Sequence, residues 1–246
     1  MSVGIRQAAA RRRGWSPLDL PSLTVWLDAS DASTITMSGS NVATWADKSG
    51  TGRDVSAVSG GPTRTVTQNG LLVCSFTGGA GMSRASSGLH ATSGSVTVVM
   101  RTASSGLPTY LSAPATITTS NLPAPADHWQ TTADADNALY AGLPEMKSAS
   151  WHNMRGQTSW GTVVTNRSLS GGTKSASQWL DGALLRSSSV GGSNWGTNGT
   201  LTIGRRNDGA TWFVGDLAEV VMTDATLGAT DRADLENYLR AKWGTP

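Results

Sequence analysis

The chain has 246 residues and a formal net charge of +2, with charged residues at only 15 %, well below the quarter usual for a globular domain. Hydrophobic residues at 38 % still allow a sizeable core at this length, so the surface must be covered by Ser, Thr, Asn and Gly. That balance argues against a nucleic-acid-binding body, which needs basic clusters spread over its surface, and no apolar run approaches the roughly 18–20 residues of a membrane span.

The first fourteen residues hold Arg6, Arg11, Arg12 and Arg13 and no acid; without those four, fifteen basic residues face seventeen acidic ones. The segment reads as a basic arm without an apolar face to anchor a helix, and it lacks the apolar stretch of a secretory signal. Pro17 and Pro21 predict extended chain after it. Residues 1–22 are therefore assigned to an arm and linker, and 23–246 to one folded domain. With Trp15, the four arginines make a candidate docking arm that orders on a larger assembly.

The domain opens at Leu23–Leu27, an alternating strand ended by Asp28 to Asp31. Short strands follow at Val42–Trp45, Val55–Val58, Arg64–Thr67, Leu71–Phe76 and Val96–Arg101, with turn residues between them. Such spacing predicts an all-β sandwich or barrel. Cys74, the single cysteine, lies in an apolar run and reads as a buried small hydrophobe. Prolines 108, 114, 123, 125 and 144 interrupt the middle, where His128–Gln130 and Ala138–Tyr140 are candidate strands. Alternation resumes at Trp151–Met154, Trp160–Thr165 and Ser177–Leu180, and Asp181-Gly182 is the strongest hairpin signal.

The end of the chain is the clearest. The apolar run to Met222 precedes an amphipathic helix with Thr230 as N-cap and Asp231 and Asp234 in the first turn. Leu235, Leu239 and Trp243 form its apolar stripe, and Gly244 stops it. A lone short helix is not stable by itself, so it must lie on the sandwich, with Phe213, Val214 and Leu217 to Met222 as expected neighbours.

Several blocks resemble a known family. Thr24-Val25-Trp26-Leu27-Asp28-Ala29-Ser30-Asp31, followed by Trp45-Ala46-Asp47-Lys48-Ser49-Gly50, resembles the opening of a laminin-G-like, concanavalin A-like jelly-roll domain. Trp179-Leu180-Asp181-Gly182 is similar to that family's W-x-[DN]-G hairpin. Ile203-Gly204, Phe213-x-Gly215-Asp216-Leu217-Ala218-Glu219-Val220 and Tyr238-Leu239-x-x-Lys242-Trp243-Gly244 resemble its ending. The blocks cover 23–102 and 176–244 in the family's order and leave 103–175 unmatched. The resemblance implies an antiparallel β-sandwich with one C-terminal α-helix packed on it. It also implies a setting in a phage minor tail or another virion surface protein. In that setting the partners are other virion proteins and further copies of the chain.

Some relatives of this fold are glycoside hydrolases, which need two carboxyls flanking one bond. The chain has three glutamates, 145, 219 and 236, and none starts an alternating acidic pattern. Asp216 and Glu219, three apart, fall on opposite faces of a regular strand. No G-x-S-x-G elbow is present, and His90, His128 and His152 have no signature spacing. The chain therefore reads as a non-enzyme. No cofactor is indicated. Calcium is weighed on two acid sets: Asp134, Asp136 and Glu145 fail the EF-hand pattern at Ala138 and Leu139, and Asp28, Asp31 and Asp47 read as turn caps. Ten tryptophans against two phenylalanines leave one further signal. An indole beside polar groups stacks on a sugar face while its neighbours read hydroxyls. Trp151, Asn153, Trp160 and Trp195 are the candidate glycan-binding residues, with a host cell-surface glycan as partner and subunit contact as the competing use.

Overall fold

The computed structural model describes residues 14–85, 93–102, 115–120, 130–133, 139–140, 159–191, 198–205 and 212–246. Its strands are, in chain order, Leu23–Asp28 (β1), Ile35–Ser38 (β2), Asn41–Trp45 (β3), Val55–Ala57 (β4), Thr67–Gln68 (β5) and Leu71–Leu72 (β6). Next come Cys74–Phe76 (β7), Met82–Ala85 (β8), Gly94–Thr102 (β9), Ala115–Ser120 (β10), Gln130–Ala133 (β11) and Leu139–Tyr140 (β12). Gly161–Ser170 (β13), Thr173–Leu180 (β14), Ala183–Gly191 (β15), Asn198–Ile203 (β16), Gly215–Thr223 (β17) and the helix Ala229–Trp243 (α1) complete it.

Sheet one runs β1-β17-β9-β13-β14-β15, with β7 beside β1 on the same edge of β17; sheet two runs β12-β11-β10-β16-β8-β4-β3-β2. The named pairs in both are antiparallel, and the molecule is a β-sandwich with a C-terminal helix. Alternation in the strands decides the layers. Val25, Leu27, Val96, Val98, Leu217, Val220 and Met222 meet Val42, Trp45, Val55, Met82, Leu201 and Ile203 between the sheets. The intervening residues Trp26, Val99, Val164, Ala218 and Val221 face outward and form a second core with Leu235, Leu239 and Trp243 of α1. Burying each such side chain contributes about 1.5–3 kcal/mol.

Local chemistry sets the turns. Asp181 and Gly182 both have positive φ, 50° and 83°, the two-residue hairpin geometry that suits the sheet twist, and Leu180 then pairs Ala183. Gly204, at φ 79°, lies so close to Phe76 that an added Cβ would sit 2.2 Å from its ring. Cys74 is buried, and burial pushes its thiol up to about 12.

Four expectations change. The helix starts earlier than Thr230: its N-cap is Gly228, because Leu227 is pinned by Ser95 Oγ at its N–H and by Asn166 Nδ2 at its carbonyl, and the chain turns at once. Phe213 does not meet the helix but packs edge-on against Phe76 in the inter-sheet core, and Leu217, Val220 and Met222 also face away from α1. Instead of a strand over Arg64–Thr67, Thr63 bridges Asn41 and Ser75, and only Thr67–Gln68 is extended in a two-stranded ribbon with β6. Residues 15–20 are part of the body rather than a linker: Pro17–Asp19 form one 3-10 turn capped by Ser16, with Leu20 in the second core and Trp15 packed against it. The strand predicted at Trp151–Met154 lies outside the described residues.

Candidate functional site

The blocks that carry the family resemblance converge on one buried ionic cluster under α1. Glu219, 1 % exposed, accepts from Trp26 Nε1 at 2.6 Å, Trp243 Nε1 at 2.7 Å, Lys242 Nζ at 2.7 Å and the Tyr238 hydroxyl at 3.2 Å. Beside it on β1, Asp28 pairs with Lys242 at 2.8 Å and with Lys48 at 2.9 Å, and Lys48 reaches Asp31 at 2.8 Å. Burial pushes the Glu219 carboxyl up, and the Lys242 ammonium opposes it. Indole and ammonium N–H groups can only donate, so both carboxyl oxygens serve as acceptors. Burial also acts to raise Asp28, but Lys242, Ser30 and Lys48 outweigh it and hold the carboxyl below its ordinary range.

This arrangement also accounts for the other acids. The Lys48 ammonium bridges Asp28 and Asp31, where oxygen ligands for calcium had been weighed. Asp47 ties its loop to β1 by accepting from the backbone N–H groups of Trp26, Ser49 and Arg53 and from the hydroxyls of Ser49 and Thr51. Among the described residues no group of His, Cys, Asp or Glu is arranged to hold a metal ion; Asp134, Asp136 and Glu145 lie outside them.

Asp216 and Glu219 do not fall on opposite faces. A bulge at Ala218 sets Leu217 opposite Met100 and Glu219 opposite Val99, and the extra residue reverses the alternation. Both carboxylates therefore lie on the helix side. Asp216 is engaged there by Arg101 Nε and Ser75 Oγ, each at 2.5 Å.

Beyond the helix, the outer face of sheet one turns polar. Thr223, Ser95, Asn166, Ser177 and Ser187 sit opposite one another in register across β17, β9, β13, β14 and β15. Ser168, Ser175 and Ser189 form the next row. Residues 166–168 and 175–177, Arg167 among them, together with Trp179 and Thr226 line a cleft of about 210 Å³ here. Arg232 covers one face of the Trp179 indole, 4.5 Å from its centroid, and is itself held by Glu236. Ser177 and Ser187 bond each other at 2.9 Å, and Ser95 donates to Asn166 Oδ1. The cleft thus offers serine hydroxyls and the Asn166 amide beside one indole edge.

Of the sequence-predicted glycan residues, Trp160 is described. It is 7 % exposed in the second core, with the Arg101 guanidinium 5.3 Å from its ring, so it presents no free face for stacking. Trp151, Asn153 and Trp195 lie outside the described residues, as do Arg6, Arg11, Arg12 and Arg13. Trp15 packs on Tyr238 of α1, ring centroids 5.8 Å apart, and so serves the fold. Sequence reasoning missed the serine rows. Their only signal was Ser175 alternating with Ser177 and the run Ser187-Ser188-Ser189, which look like any solvated edge until the register is known.

No protein-family model and no curated protein matches the chain. Solved structures do. Domain 4 of AbnA, an extracellular arabinanase from Geobacillus stearothermophilus solved with arabinotriose, matches with 15 % identity and a TM-score of 0.59, over 87 % of this chain and 98 % of that one. An arabinofuranosidase complexed with arabinofuranosyl-xylobiose matches with 12 % identity and a TM-score of 0.58, over 82 % of this chain. The binding domain of Paraclostridial Mosquitocidal Protein 1 matches with 10 % identity and a TM-score of 0.58, over 94 % of this chain. The chain spans only about half the length of the last two, 51 % and 56 %. At such identities the likeness is one of fold.

Proposed function

We propose that this protein is a non-catalytic recognition module that binds glycan in the cleft on the outer face of β13 and β14. The observation that carries this reading is the cleft itself: the register-aligned hydroxyls of Ser168, Ser175 and Ser177 with the Asn166 amide beside the Trp179 indole, left open at the start of α1. Sugar hydroxyls pair with such groups while an indole edge supplies apolar contact. A binding role is further supported by the buried acids Asp28, Asp216 and Glu219, all engaged in ion pairs. The arabinotriose complex of the similar arabinanase domain makes an arabino-oligosaccharide the first ligand to try. Titration of the full chain with arabinotriose, together with a glycan array, tests the reading. Ser175→Ala combined with Ser177→Ala is expected to weaken binding of the recognised glycan about tenfold; unchanged binding removes the cleft, and an empty array removes the glycan.

A second reading concerns the setting. The phage-type resemblance and the basic segment before Trp15 support display of this module on a virion, with Arg6, Arg11, Arg12 and Arg13 docking to virion proteins. The rooting of Trp15 on Tyr238 favours it, because docking then orients the whole sandwich. Removal of residues 1–13 is expected to abolish co-assembly with its carrier while leaving the thermal midpoint unchanged; normal incorporation of the truncated chain defeats it.

A further inference from the structure

Sheet two carries a second aligned row, on the face turned away from the core. Thr36 pairs Thr44, Thr44 pairs Ser56, Ser56 pairs Ser83 and Ser83 pairs Thr202, so five consecutive strands, β2-β3-β4-β8-β16, place a hydroxyl residue at one level. Their neighbours in sequence Ile35, Trp45, Val55, Met82 and Ile203 belong to the inter-sheet core, which fixes the row on the outer side. Thr36 and Ser56 are exposed, Thr44 and Ser83 half-buried, and Thr202 only 1 % exposed. The open part therefore spans four strands, roughly 14 Å at the usual strand spacing.

Two features mark this row. Many hydroxyls of this chain bond the protein: those of Ser30, Ser33, Thr34, Ser49, Thr51 and Ser75 do so. Among the described residues, the side chains of Thr36, Thr44, Ser56 and Ser83 have no protein partner. No charge enters the row either. Arg84, next along β8, is paired with the core residue Leu201 and donates from Nη1 to the Gly52 carbonyl.

We propose that the outer face of β2, β3, β4 and β8 is a second binding site, for a neutral polysaccharide chain lying across the strands. A hydroxyl both donates and accepts, so a row of them matches a ligand that presents hydroxyls repeatedly and carries no charge. An acidic polymer finds no cation on the row, and an apolar partner finds no large side chain in it. The site is independent of the β13–β14 cleft, which lies on the other sheet.

Affinity electrophoresis of the full chain through gels containing arabinan, hydroxyethylcellulose or polygalacturonate tests the proposal. The protein is expected to be retarded by at least one neutral polymer and not by polygalacturonate. Thr44→Val with Ser56→Ala, which keeps the strand shape, is expected to weaken that retardation about tenfold at an unchanged thermal midpoint. Ser175→Ala with Ser177→Ala should leave at least half of it. The row is overturned if the Thr44/Ser56 variant is retarded like the parent, if polygalacturonate retards as strongly, or if no neutral polymer retards the parent. Loss confined to the Ser175/Ser177 variant overturns the row while leaving the cleft standing.

Discussion

On the outer face of sheet one, β17, β9 and the start of β13 carry Ala218, Val221, Val99 and Val164 beneath α1, whereas β13, β14 and β15 carry Asn166, Ser168, Ser175, Ser177 and Ser187 beyond it. The two surfaces belong to one continuous antiparallel sheet. In the covered half the Glu219 carboxylate is matched to partners far along the chain, Trp26 and Trp243. In the open half Ser177 and Ser187 bond each other, Asn166 is tied to Ser95 and Leu227, and the cleft stays free. One half of the face is packed for stability beneath α1 and the other is left open, with α1 marking the boundary.

The comparison can be broken most directly at Glu219. Glu219→Leu leaves two indole N–H groups buried without their acceptor and the Lys242 ammonium with Asp28 alone, and is expected to cost about 3–5 kcal/mol, read from urea unfolding. Leu239→Ala, which opens a cavity in the helix-facing core, should cost about 2–4 kcal/mol in the same assay. A loss below ~1 kcal/mol in either would show that α1 is not what stabilises the covered half.

Acid and base test the same half without mutation. Asp31, hydrogen-bonded by Lys48, is held down at about 2, and Asp28 and Asp47 are lowered as well despite burial. A lowered carboxyl contributes stability that is present above its unfolded value near 3.9 and lost as pH falls through the folded value. Lys48 is raised: burial opposes this, but Asp31 and Asp28 outweigh it. Its contribution is present below the unfolded value near 10.4 and lost above it. Glu219, raised by burial, works against the aspartates in acid. The thermal midpoint should therefore decline between about pH 4 and pH 2, and again above about pH 10.5. A flat profile through pH 2 would show that the Lys48 and Lys242 pairs do not matter to folding.

The smallest effect sharpens the other side. Ser175→Ala with Ser177→Ala should change unfolding free energy by no more than ~0.5 kcal/mol per site, because neither side chain supports the core. A destabilisation as large as that of Leu239→Ala would place these serines in the scaffold and erase the distinction between the halves.

The sandwich, the Asp181-Gly182 hairpin, the Leu235–Leu239–Trp243 stripe and the Gly244 stop were legible from sequence, because each rests on residues within a few positions of one another. Period-two alternation, positive-φ turn chemistry and helical spacing are local properties of the chain. The acidic cluster was only half legible. Its residues were visible as family blocks, yet nothing in the spacing tells that Trp26 meets a carboxylate 193 residues away. The faces of Asp216 and Glu219 were misjudged because one bulge at Ala218 reverses strand parity, a choice made by pairing with β9. Trp160, which its composition and setting offered as a sugar platform, was buried by the same packing. The hydroxyl rows belong wholly to tertiary structure: Thr36, Thr44, Ser56 and Ser83 align only when four strands adopt one register. Sequence fixes which side chains alternate, but neighbours across strands are set by register, and register is decided by the burial of the opposite face.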